Sequence, residues 1–399
     1  DESDGDFSPG DLSLREAIEL ANFKAGADTI EFASALSGGT ITLTVDQLEV
    51  TDDLTITGLG SSSMTISGGD AFRVFQSLNV DSFELQGLTI TGGRPSNTGS
   101  PSSGAAIFSS GDLMLTDVVI TGNVAGGSDG DLTITDSVIS NNMTTAPSAL
   151  GGGIHSLGSN VLIQDSVIDG NAMTGDLSVG AGVLVINGNL TLTQSTISNN
   201  TSSADSVTGG GVTVGGGNLT ILASTILENS VTGSGGGVAF DGLGFTATVT
   251  NSTVSGNSAG VHGGGIANFA GSFDLKHSTV TNNSAPAANG GGVASFTSSQ
   301  TSAIVTTIYS SVIAGNSSSD IDQIVFSGLP AAPENSVFSD GFNVIGNGNA
   351  VPDRFTGPSD QTFVVNPGLN PLADNGGPTL THALLASSPA LDAGETTST

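Results

Sequence analysis

Short runs of alternating aliphatic and polar residues recur along the middle of the chain, and Gly, Asn, Asp or Ser bounds each run. In Leu132–Thr135 and Leu190–Thr193, for example, Leu or Ile alternates with Thr. A period of two predicts short β-strands whose aliphatic residues face inward and whose threonines face outward. No run in this region has the length and the 3.6-residue periodicity of an amphipathic helix.

The strands belong to a repeat, which is clearest in residues 263–283. A Gly triplet leads into an aliphatic residue, an alternating strand follows, and a Ser/Thr-aliphatic-x-x-Asn element closes the unit. The closing residues are Asn123, Asn142, Asn171, Asn200, Asn229, Asn257, Asn283 and Asn316, which lie 19, 29, 29, 29, 28, 26 and 33 residues apart. A repeat of this length indicates a solenoid, a propeller or an array.

Residue types and repeat length select among these architectures. The absence of helical periodicity excludes the helix-containing repeats. A four-stranded propeller blade needs about 40 residues, and its Trp-Asp signature is impossible in a chain without Trp. We therefore predict an all-β fold, a parallel β-helix in which each repeat forms one coil. The 19-residue unit lacks the Gly triplet, so one of its strands should be shortened.

Equivalent positions should stack, because neighbouring strands in such a fold lie about 4.8 Å apart. The aliphatic residue of each closing element forms one inward stack, and the closing asparagines form a column at a turn. Stacked carboxamides can hydrogen-bond from coil to coil, and Asn tolerates the left-handed backbone of tight turns. The column therefore predicts an Asn ladder, although a polar binding site is the alternative interpretation.

The two ends differ from the repeats. Residues 11–22 predict one amphipathic helix, capped by Asp11 or Ser13, whose apolar stripe holds Leu12 or Leu14 together with Ile18 and Ala21. We expect this helix to cover the apolar end of the first coil. The chain then divides into an N-terminal cap with the first strands (1–53), the β-helix coils (54–326) and an irregular C-terminal cap (327–399).

Charge restricts the partners. Six Lys and Arg residues against 37 Asp and Glu residues give a net charge of −31. This charge repels nucleic acid and anionic membranes, and it repels acidic polysaccharides unless a divalent cation bridges the two. The chain has no Cys for disulfides or thiolate zinc sites, and no apolar run of about 20 residues that could span a membrane. It begins at Asp1 without Met, so we expect it to be a segment of a longer protein.

Both termini carry motifs of one protein family. Residues 12–18, Leu-Ser-Leu-Arg-Glu-Ala-Ile, resemble the opening motif of secreted bacterial right-handed parallel β-helix proteins. Residues 366–382 and 388–394 resemble the choice-of-anchor Q domain, which lies near the C-terminus of the same proteins. The Gly-rich repeats are also similar to those of polymorphic outer-membrane proteins, whose repeat Phe is missing here. The resemblance implies right-handed winding and an extracellular or cell-surface setting, and it implies no defined activity.

One cluster could support catalysis on a polysaccharide. A lyase needs a base and a cationic group or metal ion near the uronate. Asp274, Lys276 and His277 provide such groups, with His262 one strand earlier. The alternation places Asp274 and Lys276 on the outward face and His277 at the following turn. The other interpretation is a solvated strand face with an ion pair.

Two sets of aspartates could bind calcium through oxygen ligands. Asp117, Asp136 and Asp165 occupy one column before the closing element, and Asp129 and Asp131 lie in a Gly/Asp turn. Ca²⁺ is therefore the one cofactor that the sequence leaves open. The alternative interpretation is that these residues are Asp because the turns favour it.

Two functional hypotheses follow. The first is a non-catalytic extracellular or cell-surface β-solenoid, acting as a structural, matrix or adhesion module of a larger bacterial protein. The second is a carbohydrate-active β-helix, either a polysaccharide lyase or a glycoside hydrolase, or a carbohydrate-binding module. The expected partners are other copies of the chain or cell-surface glycans, and not nucleic acid.

Overall fold

The computed structural model of the chain describes residues 4–8, 10–94, 105–124, 127–128, 130–145, 150–175, 179–203, 208–286, 289–297, 304–325, 337–349 and 354–395. This part of the chain is almost entirely β-structure. It contains the α-helix α1 (Leu14–Phe23) and a 3-10 turn at Ser34–Leu36. None of its helices has the length and apolar character needed to cross a membrane.

The strands are short and follow one another through tight turns. The first coils contain β1 (Asp28–Glu31), β2 (Gly39–Thr42), β3 (Leu48–Val50), β4 (Leu54–Thr57), β5 (Met64–Ser67), β6 (Phe75–Ser77), β7 (Ser82–Thr91), β8 (Ile107–Ser109), β9 (Asp112–Thr121) and β10 (Gly127–Ser128). The middle coils contain β11 (Leu132–Thr135), β12 (Val138–Ser140), β13 (Met143–Thr144), β14 (Ile154–Leu157), β15 (Val161–Gln164), β16 (Val167–Asp169), β17 (Ala172–Met173), β18 (Val183–Ile186), β19 (Leu190–Thr193), β20 (Thr196–Ser198), β21 (Thr201–Ser202), β22 (Val212–Gly215), β23 (Leu219–Leu222), β24 (Thr225–Leu227) and β25 (Ser230–Val231). The last coils contain β26 (Val238–Thr250), β27 (Thr253–Ser255), β28 (Ser258–Ala259), β29 (Ile266–Lys276), β30 (Thr279–Thr281), β31 (Val293–Thr297), β32 (Val305–Tyr309), β33 (Val312–Ile313), β34 (Ile321–Val325), β35 (Val337–Gly341) and β36 (Val344–Ile345), and β37 (Leu369–Ala373) and β38 (Thr381–Leu384) follow them.

The strands wind into three parallel columns, and each strand pairs with its equivalents one coil before and after. The first column contains β1, β4, β7, β9, β11, β15, β19, β23, β26, β29, β32 and β35. The second contains β2, β5, β7, β9, β12, β16, β20, β24, β27, β30, β33 and β36, and the third contains β3, β6, β8, β10, β14, β18, β22, β26, β29, β31 and β34. A short fourth column, β13, β17, β21, β25 and β28, lies at one corner. The predicted parallel β-helix is confirmed.

The register of the parallel strands places residues of the same type on one another in successive coils. Ile168 pairs with Ile139 and with Ile197 in the second column, and Val183 pairs with Ile154 and with Val212 in the third. These inward side chains are buried and form one continuous apolar core through the solenoid. The predicted aliphatic stacks are confirmed, because every coil presents the same position to the same neighbours.

The 19-residue unit leaves a local defect in this core. Its third-column strand β10 has only two residues, as the missing Gly triplet predicts. A cavity of about 40 Å³ lies inside the solenoid here, with Ile107, Ile134 and Ile154 among its lining residues. The stack of aliphatic residues is therefore incomplete at this coil.

The predicted Asn ladder is present and buried. Each closing Asn from Asn123 to Asn283 donates its backbone N–H and its Nδ2 to Oδ1 of the closing Asn in the next coil, at 2.9–3.1 Å. At the N-terminal end of the ladder, Gly93 N–H donates to Asn123 Oδ1. At the C-terminal end, Asn316 donates its backbone N–H and its Nδ2 to Asp320 Oδ1. Burial raises the pKa of Asp320 even though these donors oppose the change.

A second ladder runs beside the first and was not predicted. The Ser that opens each closing element accepts a backbone N–H from the preceding coil at its Oγ, at 3.0–3.2 Å. Its members are Ser137, Ser166, Ser195, Ser224, Ser252, Ser278 and Ser311. Ser311 N–H then donates to Asn343, and Asn343 donates to the Asp360 carboxylate. Both ladders therefore end on an aspartate.

The N-terminal helix covers the first coil through its buried face. Leu14, Ile18 and Ala21 are buried, whereas Leu12, one of the expected stripe residues, is 44% exposed. Ser13 is the N-cap and forms a capping box with Glu16, so Asp11 is not the cap. The family-like opening motif therefore consists of the cap and the buried stripe of this helix.

The C-terminal segment covers the last coil and then folds back. Gln361 forms backbone hydrogen bonds with Asn343 and Ile345 of the last coil. The antiparallel hairpin β37–β38 lies on the second column, where Leu380 O accepts from Thr225 Oγ1 at 2.7 Å. His382 joins the hairpin to the solenoid through a 3.0 Å hydrogen bond between Nε2 and Ser255 Oγ. The C-terminal segment therefore extends beyond the last coils and also contacts earlier coils of the second column.

Replacement of Asn200 by Leu should destabilise the solenoid by roughly 2–5 kcal/mol, because two buried donors of Asn171 lose their acceptor. Urea unfolding measures this change. Asn189→Leu is the matched control, since Asn189 belongs to an exposed ladder and water can replace its partners. Equal effects of the two substitutions would contradict a stabilising role for the buried ladder.

Glu16→Gln should weaken the fold at pH 7, and the difference from the wild type should shrink toward pH 3. The Ser13 N–H, together with the N–H groups of Gly5 and Asp4, lowers the pKa of Glu16 below its ordinary value. A lowered pKa adds stability above the pKa of the unfolded chain, and this stability is lost as the pH falls through the folded pKa. Urea unfolding at several pH values, with Glu19→Gln as the control for charge, tests this; a pH-independent difference would refute it.

His382→Ala should release the hairpin while leaving the solenoid folded. The substitution removes the bond to Ser255 and the 2.7 Å bond between Nδ1 and Asn370 O within the hairpin. We expect faster backbone hydrogen exchange in residues 369–384 and a nearly unchanged global unfolding midpoint. Ser255→Ala removes only the first bond and should have a smaller effect. Unchanged exchange in the hairpin would show that His382 does not hold it.

Candidate functional site

The predicted charged pair lies on the outward face of the first column. Asp274 and Lys276 alternate with the buried Leu275 on β29, as expected. Lys276 Nζ lies 3.0 Å from Asp274 Oδ2, and both side chains are about one-third exposed. In register, Asp274 has the neutral Thr248 on one side and Thr307 on the other. An ion pair with this exposure contributes little free energy, and each charge has its counter-ion already in place.

His277 lies at the turn that follows, as predicted, with its backbone at φ +49°. Its exposed ring contacts the edge of Tyr309, with ring centroids 5.4 Å apart. The Tyr309 hydroxyl donates a hydrogen bond to the Glu395 carboxylate, and this bond raises the pKa of Tyr309. A raised pKa disfavours the phenolate, so Tyr309 is poorly suited to act as a general base.

His262 lies apart from these residues. It precedes the Gly triplet of its coil, and its ring packs edge-on against Phe296 with centroids 5.2 Å apart. Phe296 belongs to β31 in the third column, whereas Lys276 faces outward from the first. Burial lowers the pKa of His262, which favours the neutral imidazole at pH 7. The structure therefore pairs Asp274 with Lys276 and places His277 at the next turn against Tyr309, and it does not add His262 to them.

The aspartate column before the closing element follows a backbone requirement. Asp117, Asp136 and Asp165 have φ of +49° to +52°. The equivalent residues of later coils, Gln194, Ala223, Asn251, His277 and Ser310, have φ of +45° to +50°. Every coil thus needs a left-handed residue here, a conformation that Asp tolerates. Asp117 already accepts a 2.7 Å hydrogen bond from the Ser61 hydroxyl.

The second aspartate set also has a structural partner. Asp129 lies outside the described residues. Asp131 Oδ1 accepts the Asn160 N–H at 2.7 Å, and the Asp131 N–H donates to Asp112 Oδ1 at 3.2 Å. Asp131 is thus one member of an exposed ladder that continues through Asn189 and Asn218. Across the described ranges, no three His, Asp or Glu side chains form a group that could hold a metal ion.

Four other basic side chains are dispersed and engaged in contacts. Arg73 lies over the Phe108 ring, 5.4 Å from its centroid, and donates to Gln47 and Gln76 at 3.2 Å. Burial lowers the pKa of Arg73. Arg15 donates to backbone carbonyls below α1. Lys24 pairs with Asp28, and Arg94 pairs with Asp70. These contacts spread positive charge along the molecule rather than concentrating it.

A groove that the sequence reasoning missed lies on the outer face of the third column. Its volume is about 680 Å³. The apolar side chains of Leu184, Ile186, Ala239, Leu243, Phe269 and Ile304 line much of it. We call it the third-column groove. The sequence contains one indication of this groove. Val183–Ile186 has apolar residues at both its inward and its outward positions, whereas Leu190–Thr193 alternates with Thr. This pattern predicts apolar side chains on the outer face of β18.

The polar groups of this groove are few. Asn187 and Asp241 line it with exposed side chains, and Thr213 Oγ1 lies 3.5 Å from Thr208 O. Asp241 is the one formally charged residue among the described lining residues. Phe269 stacks on Phe296 with ring centroids 4.6 Å apart, which holds its ring in place. The groove is therefore largely apolar, with neutral or acidic groups and no cation in this lining.

Comparison with known proteins agrees with the fold. A family model described as the right handed beta helix region matches residues 124–308. Together with the parallel columns, this match gives the fold class of the chain as a right-handed parallel β-helix. No curated protein matches the sequence.

Several solved structures share the architecture at low sequence identity. A periplasmic alginate epimerase has a TM-score of 0.51 and 9% identity, with 88% of each chain covered. The Dettilon tailspike protein has a TM-score of 0.50 and 14% identity, covering 86% of this chain and 64% of the tailspike. The A-module of an Azotobacter vinelandii mannuronan C-5 epimerase has a TM-score of 0.48 and 13% identity, with 89% and 91% covered. These likenesses concern the fold alone.

Proposed function

We propose that this chain is a non-catalytic β-solenoid that serves as a rigid structural, matrix or adhesion module of a larger bacterial surface protein. The observation that carries the proposal is the pair of buried ladders. They run through successive coils and end on Asp320 and Asp360. The setting outside the cell rests on the resemblance of the terminal motifs.

Mechanical continuity follows from the way the coils are joined. Each coil is tied to the next by three parallel strand pairings and by the Asn and Ser ladders. A buried hydrogen-bond network resists local opening, because each donor left buried without a partner would cost free energy. Such a rod holds its two ends at a set separation, which is what a spacer or a presenting module requires.

The contacts of the basic groups support a role without catalysis. Lys276 is paired with Asp274, Arg73 is held by Phe108 and glutamines, and His382 fastens the hairpin. A lyase or epimerase acting on an acidic glycan needs a cation or metal ion that neutralises the uronate beside a general base. In the described part of the chain these groups serve the fold instead.

The alternative is a carbohydrate-active β-helix. Two observations favour it: Lys276, His277 and Tyr309 are contiguous on adjoining coils, and a periplasmic alginate epimerase shares the fold at low sequence identity. A discriminating experiment incubates the native protein with neutral and acidic polysaccharides, with and without Ca²⁺. Reducing ends, unsaturated ends and the stereochemistry of uronate residues are then measured. We expect no change in any of them, and turnover of any polysaccharide would refute the non-catalytic role.

The double substitution Lys276→Ala and His277→Ala should leave every activity of the native protein intact, because the pair forms a solvated strand face and turn. Arg94→Ala is the charge control, since it removes an exposed ion pair elsewhere. The measurement is the initial rate on any polysaccharide that the native protein converts. A loss of at least tenfold, about 1.4 kcal/mol of barrier, in the double variant alone would establish the enzyme hypothesis.

A further inference from the structure

We propose that the third-column groove is a binding site for a neutral glycan, which would be the ligand of the adhesion role. This inference rests on the proposed function only in part, because a rigid spacer needs no ligand. It identifies a site and a ligand class, which the shape, apolar surface, hydrogen-bonding groups and charge of the groove support.

The groove follows the solenoid axis. Leu184, Thr213 and Ala239 occupy equivalent positions in three consecutive coils, in register across β18, β22 and β26, and are buried at its floor. The lining residues with more exposed surface are Asn187, Asp241, Leu243 and Phe269, on the coils of β18, β26 and β29. Because coils repeat about every 4.8 Å, these residues extend over about three coil spacings, and an elongated ligand such as a glycan chain suits this length.

Its apolar lining distinguishes this surface from the rest of the outer wall. The corresponding outward positions of the first column include Thr191, Thr220 and Thr248. In the groove, by contrast, Phe269 is half-buried and Leu243 is 60% exposed. Exposed apolar surface in a concave site marks a place where a ligand displaces water. The C–H face of a pyranose ring is a flat apolar surface that can cover such side chains.

Hydrogen-bonding groups lie beside the apolar floor. Asn187 has φ +56°, so its exposed carboxamide is presented from a tight left-handed turn. The Asp241 carboxylate lies on the same groove. A carboxylate only accepts hydrogen bonds, and a carboxamide both donates and accepts. Sugar hydroxyl groups supply both kinds of partner, whereas a purely apolar ligand would leave these groups desolvated and unpaired.

Charge selects a neutral glycan over an acidic one. The described lining contributes Asp241 and no basic residue, and the whole chain carries −31. An anionic polysaccharide would meet repulsion at the groove and from the surrounding field. A single carboxylate on an apolar floor also does not form the acidic cluster that would select a strongly basic peptide.

The test is affinity electrophoresis of the native chain in gels containing soluble β-glucan, mannan, galactan or starch, with alginate and polygalacturonate as acidic comparators. We expect at least one neutral polysaccharide to retard the protein and the acidic ones not to. Phe269→Ala and Asp241→Ala should each weaken that binding about tenfold or more. Leu222→Ala is the control, because Leu222 is an apolar residue exposed on the first column, away from the groove. Asp241→Asn keeps the shape of the side chain and removes its negative charge, so it tests the role of the charge without endangering the fold.

The outcomes separate this inference from the proposed function. Failure of every neutral polysaccharide to bind, stronger binding of the acidic ones, or equal binding by the groove variants would overturn the glycan site. Competition by an apolar peptide but not by oligosaccharides would also overturn it, and would assign the groove to a protein partner. None of these results affects the rigid-module role, which fails instead if the polysaccharide panel reveals turnover.

Discussion

The structure depends on the hydrogen bonds that each buried Asn makes with the next coil. The carboxamide lies inside the wall, where water cannot replace a missing partner, so each coil must present the next Asn at the right height. Neighbouring positions are adapted to this requirement. At Gly265, an added Cβ would lie 2.6 Å from Gly292 O and 3.0 Å from Asn283 Nδ2. The last glycine of each Gly triplet is thus required by the close approach of the ladder and the adjacent coil.

Much of the fold was predictable because a solenoid converts sequence periodicity directly into spatial stacking. The columns of Ile168 and Asn200 could be assigned from spacing alone, since every coil places that position in the same surroundings. The Ser ladder escaped prediction for a chemical reason. The hydroxyl of Ser195 pairs with a backbone N–H rather than with another side chain, so the column carries no complementary residue by which it could be recognised. A Ser at the position of Ser195 is also typical of an ordinary turn, so the residue type alone does not indicate a ladder.

The features that matter for function were harder to predict, because they join residues with no shared period. Ser255 and His382 are 127 positions apart in the sequence. Nothing in the repeat identifies the second column as the surface on which the hairpin lies. The third-column groove combines coils with loops of unequal length, and only the two-sided apolar pattern of β18 pointed to it. The cluster of Asp274, Lys276 and His277 was placed correctly along the strand, whereas the separation of His262 depended on which column each strand joins.

The carboxylate at the end of the Asn ladder has a consequence for how such a chain can change in length. The bonds that join one closing Asn to the next run toward the C-terminus, and Asp320 Oδ1 accepts the last pair of them. A carboxylate has no N–H, so of the two bonds that each Asn makes with the next coil, Asp320 repeats only the one from its backbone N–H, to Asn347 Oδ1 at 3.2 Å. A duplicated repeat inserted between Asn123 and Asn316 would receive and make both bonds, whereas one placed directly after Asp320 would receive one. Growth of such a chain by duplication is therefore favoured in its interior over its C-terminal end.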